Sequence, residues 1–174
     1  LSDRSQIAVS GLVLVPLLVP GVVLGVSLLI FFSRFGLQQR LSTIVLAHAL
    51  WATPLTFSVM RATFSRFDWQ LQEAAMDLGA SRLRAFREVV VPNTVSGLVA
   101  AAAIAFVVSL QEFIMALFLS GRETRTIPVE SWFALRGSLS PLVSVASTLL
   151  VGAVVLTLII AATAIGLERV ADDT

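Results

Sequence analysis

The chain has 174 residues, 57% of them hydrophobic, with a mean hydropathy of +0.93 and a formal net charge of +1. Cysteine and lysine are both absent, which excludes disulfides, thiolate metal sites, a phosphate-loop lysine and Schiff-base chemistry within these residues. So apolar a composition belongs to an integral membrane protein, and arginines scattered without an aromatic-interleaved patch give nucleic acid no footing.

Residues 7–32 form the first apolar run, long enough for a hydrocarbon core that takes about 20 helical residues. Pro16 and Pro20 lie inside it and predict a bend, whose freed carbonyls meet either water along a path or neighbouring helices. Gly21 and Gly25 form a GxxxG pattern, which predicts close packing within a bundle. A polar turn at 33–40 returns the chain through a second span, 41–60, carrying His48, Trp51 and Pro54. His48 is the only histidine and cannot make a metal site alone; the expectation is a hydrogen-bonded bundle histidine, with a proton relay as the alternative.

Residues 61–94 interrupt the apolar pattern. Within them, 68–92 reads as two short helices broken at one glycine. Leu71, Ala74, Ala75 and Leu78 share one helical face, while Gln70, Glu73 and Asp77 share another. Asp68 is placed to cap this helix, Gly79 stands where a left-handed residue ends it, and Ser81 is placed to cap the next. Leu83, Phe86 and Val90 make the second stripe, Arg84 and Glu88 are spaced to pair, and Pro92 is expected to end it. On spacing alone, an amphipathic pair lying on the bilayer surface fits equally well.

Asn93 or Thr94 is placed to cap a third span, 95–119, whose Gly97, Ala100, Ala101, Ala102, Ala103 and Ala105 make a small-residue side for tight packing. Glu112 lies about 26 Å along that helix at about 1.5 Å per residue, so it belongs inside the membrane. A lipid-facing carboxylate there costs about 2.5–3.5 kcal/mol. Either Glu112, helped by Gln111 and Ser109, meets a cationic substrate in transit, or it is held neutral or paired with an arginine. An outer loop, 120–141, contains a short helix started by Pro128, with Val129, Trp132, Phe133 and Arg136 along one side. Ser140 and Pro141 start the last span, 142–167, and Ser144, Ser147 and Thr148 give it a polar side. A short charged tail, 168–174, follows. Catalytic constellations such as HExxH, a serine triad or a phosphate loop are missing from the sequence.

Glu73-Ala74-Ala75, Gly79 six positions after Glu73, and Val89, Val91 and Pro92 fill every position of the EAA pattern, with valine at two sites where isoleucine and leucine are usual. In this the chain resembles the permeases of binding-protein-dependent ABC importers. Pro20-Gly21, Pro54, Ser109 to Phe113 and Ser140-Pro141 extend the resemblance to the spermidine/putrescine type, which tends to carry two acidic residues where Gln111 and Glu112 stand.

The resemblance implies an all-α type I importer permease bundle in the bacterial inner membrane. The chain would be a fragment with four spans, two further spans preceding Leu1, and a cytoplasmic helix-Gly-helix coupling loop. Coupling to the ATPase is implied for Glu73, Ala74, Ala75, Asp77, Gly79, Ala80, Phe86 and Pro92, and a substrate path for Pro54, Ser109, Gln111 and Glu112. Implied partners are an ATPase dimer that holds the ATP and magnesium, a second permease subunit, and an extracytoplasmic substrate-binding protein. The outer helix is either a headgroup-level surface helix or a contact for that binding protein. If the coupling loop is inside, seven arginines lie inside and five outside, a slight bias in the same direction. Polyamines lead as substrate, with ferric ion, thiamine, opines or oxyanions behind them. The rival from another class is a secondary transporter using Glu112 and His48 for ion coupling.

Overall fold

The computed structural model describes residues 3–137 and 141–172, and among these residues every regular element is helical. The first apolar run is not one crossing helix. It is α1 (Asp3–Leu18) and α2 (Gly21–Ser33), which meet at 99°. Pro16 stays inside α1, whereas Pro20 takes φ −54° and ψ 132°, away from helical ψ, and the chain turns there.

The next helix, α3 (Leu41–Arg66), runs past the expected end at 60, so residues 61–66 are helical. Alongside it packs α7 (Val95–Gln111), with Gly97 seated so closely on Thr63 that a Cβ there has no room. Ala101 is buried on the same helix. Overpacking of this kind costs about 1–3 kcal/mol. Gly97→Val is therefore expected to lower the thermal unfolding temperature of the full-length protein in detergent. An unchanged Tm would mean the two helices do not approach this closely.

The expected helix over 95–119 is broken. After α7, Glu112 adopts φ −66° and ψ 122°, and a separate α8 (Ile114–Leu119) follows. α2 packs on α8 through Gly25, where a Cβ would lie 2.8 Å from Phe118 Cδ2 and 3.4 Å from the Met115 Cα. The GxxxG pattern thus packs two elements of one bundle. Phe32, Ile44, Ala47, Met115, Ala116, Leu119 and Val129 form the buried cluster around this contact.

At the same end, the Thr124 hydroxyl donates to the Gln39 carbonyl at 3.1 Å, tying the 34–40 turn to the loop before α9 (Ile127–Gly137). Pro128 sits in the first turn of α9 and Val129 is buried. Trp132 meets Phe113 edge-on with centroids 5.7 Å apart, and Arg136 lies 4.8 Å above the Trp132 ring. The last helix, α10, spans Pro141–Asp172, so helical backbone continues where a tail was expected; Ser140, its expected cap, lies outside the described residues.

α3 and the Val143–Gly166 part of α10 are each long and apolar enough to cross a membrane alone. Two bent pairs, α1 with α2 and Arg82–Asn93 with α7, bring the number to four if each pair is one crossing. Val145, Leu149, Val155, Ile159 and Ile160 of α10 are exposed on this chain, as lipid or a neighbouring subunit requires of a spanning helix.

Candidate functional sites: an exposed helical elbow and a buried carboxylate

The elbow is built locally, residue by residue. Asp68 Oδ1 accepts the Gln70 N–H at 3.0 Å and so opens α4 (Gln70–Asp77), as its position predicts. Glu73 lies in the first turn, where a negative charge suits the helix dipole. α4 stops at Gly79, whose φ of +93° is left-handed, with the Gly79 and Ala80 N–H groups bonded back to the Met76 and Ala75 carbonyls. Ser81 then accepts the Arg84 N–H at 3.3 Å and opens α5 (Arg82–Ala85). Arg84 Nε pairs with both Glu88 oxygens at 3.0 and 3.1 Å, an exposed pair worth about 0–1 kcal/mol.

Beyond α5 the structure departs from expectation. Residues Phe86–Val90 form a π-helical turn, in which the Val91 N–H reaches the Phe86 carbonyl, and α6 (Val91–Asn93) follows. Pro92 therefore does not end the helix. Proline has no N–H to give, and the wider turn before it absorbs the missing bond. The break comes at Thr94, with a 70° bend into α7. Neither Asn93 nor Thr94 caps α7: Asn93 Nδ2 donates to the Val89 carbonyl at 2.8 Å and Thr94 Oγ1 to that of Val90 at 2.8 Å. Both side chains close the incoming helix instead.

Only one side of the elbow is buried in this chain. Ala85 and Val90 are anchored at 1% and 0% exposure, while Glu73, Ala74, Asp77, Gly79, Phe86 and Pro92 are exposed, and Ala75 and Ala80 are half-buried. Leu78 is 90% exposed and Leu83 60%, so both apolar stripes are largely outward-facing, and the second turns inward only at Val90. Glu73 and Asp77 make no side-chain hydrogen bond or ion pair among the described residues. Trp69 stacks with Phe64 and meets Phe67 edge-on, which splints the junction of α3 and α4. The sequence offered the signal, three aromatics within six residues, but periodicity did not single it out.

The second site lies at the α7–α8 break. Glu112, 8% exposed, accepts the Met115 N–H at 2.8 Å on Oε1 and the Ala116 N–H at 2.9 Å on Oε2, so it caps α8 from within the helical bundle. Charge-assisted bonds are worth about 1.5–3 kcal/mol each, enough together to offset the cost of burying the carboxylate. Its nearest ionisable neighbour is His48, not an arginine: Nε2 stands 3.4 Å from Oε2, a close contact whose geometry falls short of a hydrogen bond. His48 Nδ1 and Ser109 Oγ are 2.8 Å apart. A proton on Nε2, facing the carboxylate, leaves Nδ1 to accept from the serine hydroxyl.

Two cavities flank this network on different faces of α3 and α7. One, about 500 Å³, has His48, Ser109 and Thr126 among apolar walls, and the Thr126 Oγ1 is buried with no hydrogen-bond partner among the described residues. The other, about 350 Å³, is lined by Trp51, Gln111, Glu112 and Gly21. Here the two broken spans meet, since a Cβ on Gly21 would lie 3.7 Å from Ile114. A carboxylate has about four lone-pair sites, and the backbone takes two, so Glu112 retains acceptor capacity towards this space. The orphan carbonyls ending α7 and the Trp51 ring add further attraction for a cation. Thus Gln111 and Glu112 line one cavity, while Ser109 lines the other and is linked to Glu112 through His48. Pro54 does not join them: it is buried within α3 and lines neither cavity. Trp51, one turn from His48, is the lining residue that the pattern of ionisable groups left out.

Residues 2–168 match the family described as binding-protein-dependent transport system inner membrane component. The chain is similar to the putrescine transport system permease protein PotI of Escherichia coli K12, 31% identical over 145 residues, which are 80% of this chain and 52% of that protein. It is also similar to the spermidine/putrescine transport system permease protein PotC of Haemophilus influenzae, 27% identical over 148 residues, covering 85% and 58%. A probable molybdenum ABC transporter permease protein of Haloferax volcanii is 32% identical over 139 residues, covering 75% and 51%. The chain thus spans about half the length of the curated relatives it matches.

Proposed function

The chain belongs to the family of binding-protein-dependent transport system inner membrane components, and from that membership we propose that it is the permease part of an ATP-driven importer for polyamines or similar small organic cations. The observation that carries the reading is the outward-facing elbow. An acidic, small-residue helix, Gly79 in the left-handed region and unpartnered Leu78 and Leu83 present a surface this chain leaves uncovered. Glu73 and Asp77 supply acceptors for arginine or lysine groups of an ATPase, and Ala74 and Ala75 allow close approach. Pro92 and Phe86 lie on the same exposed arm. ATP and magnesium sit on that partner dimer, outside this chain.

Closure of the ATPases moves the elbow, which is continuous with α7 through the bend at Thr94. α7 ends at the Glu112 break, so movement of one arm bears on the cavity beside Trp51. The permease makes no bond; it is a two-state gate whose populations the ATPases shift. A second permease subunit completes the path, and an extracytoplasmic binding protein delivers substrate near α9. A cation is favoured over the oxyanion of a molybdenum-type system because the cavity offers a carboxylate, an indole face and a helix C-terminus.

The test is co-reconstitution of the full-length permease with its ATPase and binding protein. ATP hydrolysis is expected to rise with putrescine- or spermidine-loaded binding protein and not with molybdate. Stimulation by the oxyanion would overturn the substrate class. Uptake that persists without the ATPase would favour an ion-coupled carrier instead.

A further inference from the structure

A third cavity, about 420 Å³, opens where the elbow enters the bundle, between α3, the α6–α7 bend and α10. Its walls are of two kinds. Val59, Ala100 and Ile165 are apolar and belong to spanning helices, whereas Arg66, Asn93 and Ser96 are polar. Arg66 is in the last turn of α3, exposed, and makes no ion pair among the described residues. Among the described residues, no carboxylate lines the space. Within the same set, Asn93 spends one amide hydrogen on the Val89 carbonyl and retains the other, and the Ser96 hydroxyl has no partner among the described residues.

A guanidinium presents five donors in a fork that fits phosphate oxygens, and here it stands at the end of a 26-residue helix with apolar wall below it. We propose that this cavity binds one anionic phospholipid, its phosphate on Arg66 with Ser96 and Asn93 as hydrogen-bond donors and an acyl chain along Val59, Ala100 and Ile165. A free phosphate would use only the basic rim; the apolar wall selects the lipid. Basic pockets between spanning helices recognise headgroups by this chemistry. The site is independent of the transported solute.

The experiment is a thermal-unfolding titration of the full-length protein in detergent with phosphatidylglycerol, phosphatidylcholine or inorganic phosphate. Phosphatidylglycerol is expected to raise Tm more than phosphatidylcholine does, and phosphate alone to leave it unchanged. Arg66→Gln should remove at least half of the difference between the two lipids, Ser96→Ala a smaller part, and Arg122→Gln, at the opposite end, none. Equal responses to the two lipids would overturn the proposal, as would a preference that survives both Arg66→Gln and Ser96→Ala. A shift reproduced by phosphate alone would assign the rim to a free anion and overturn the lipid.

Discussion

Gly79→Val should leave the protein in the membrane at near-normal level and cut uptake by tenfold or more. Among the described residues, no atom beyond its two chain neighbours lies within 4 Å of where a Cβ on Gly79 would stand, so crowding is not the cause. The cause is the backbone. At φ +93° a residue with a side chain is strained by about 1–2 kcal/mol, and a β-branched one by more. The elbow relieves that strain by changing the angle between α4 and α5, which spoils the surface proposed to meet an ATPase on both arms. Since 1.4 kcal/mol is about a factor of ten, strain of this size is enough to move most molecules out of the native elbow geometry. Gly79→Asn should keep much more activity, because asparagine tolerates the left-handed region. Both variants are read by uptake and by substrate-stimulated ATP hydrolysis, with membrane abundance measured beside them. Normal uptake by Gly79→Val would overturn the coupling role.

Glu112 separates into two effects. Glu112→Ala leaves the Met115 and Ala116 N–H groups buried without acceptors, at about 1–3 kcal/mol each. It should lower Tm and yield of the full-length protein. Glu112→Gln keeps one acceptor and removes the charge, so it should lower Tm less than Glu112→Ala does, yet at matched membrane abundance transport polyamine at least tenfold more slowly. Wild-type uptake in Glu112→Gln would mean that the carboxylate serves the α8 cap alone, and would remove the cation path from the account.

The short-range features were legible because single residues dictate them. Asp68, Gly79 and Ser81 act through contacts within three or four positions, and each has the local geometry its residue type predicts. The breaks were harder. Nothing in the spacing of 95–119 marks Glu112 as a cap, because an apolar helix and two half-helices share one hydropathy pattern. What decides is whether a buried carboxylate finds backbone N–H groups, and that depends on α8 being free to start afresh. Pro92 was misjudged for a related reason: a π-helical turn upstream absorbs the lost hydrogen bond, and spacing does not show it. Thr94 and Asn93 are good caps by type, yet their hydroxyl and amide groups bond backward to Val90 and Val89. His48 beside Glu112 joins residues 64 positions apart, a tertiary contact beyond any local rule.

The most direct test uses the absence of cysteine in these residues, which makes one introduced thiol unique there. With any other native cysteine removed from the full-length protein, Leu78→Cys places a thiol on the most exposed point of the elbow. A membrane-impermeant maleimide should label it from the cytoplasmic face only, and bound ATPase should block the labelling. Labelling from the extracytoplasmic face, or labelling at the same rate with ATPase bound, would contradict the account.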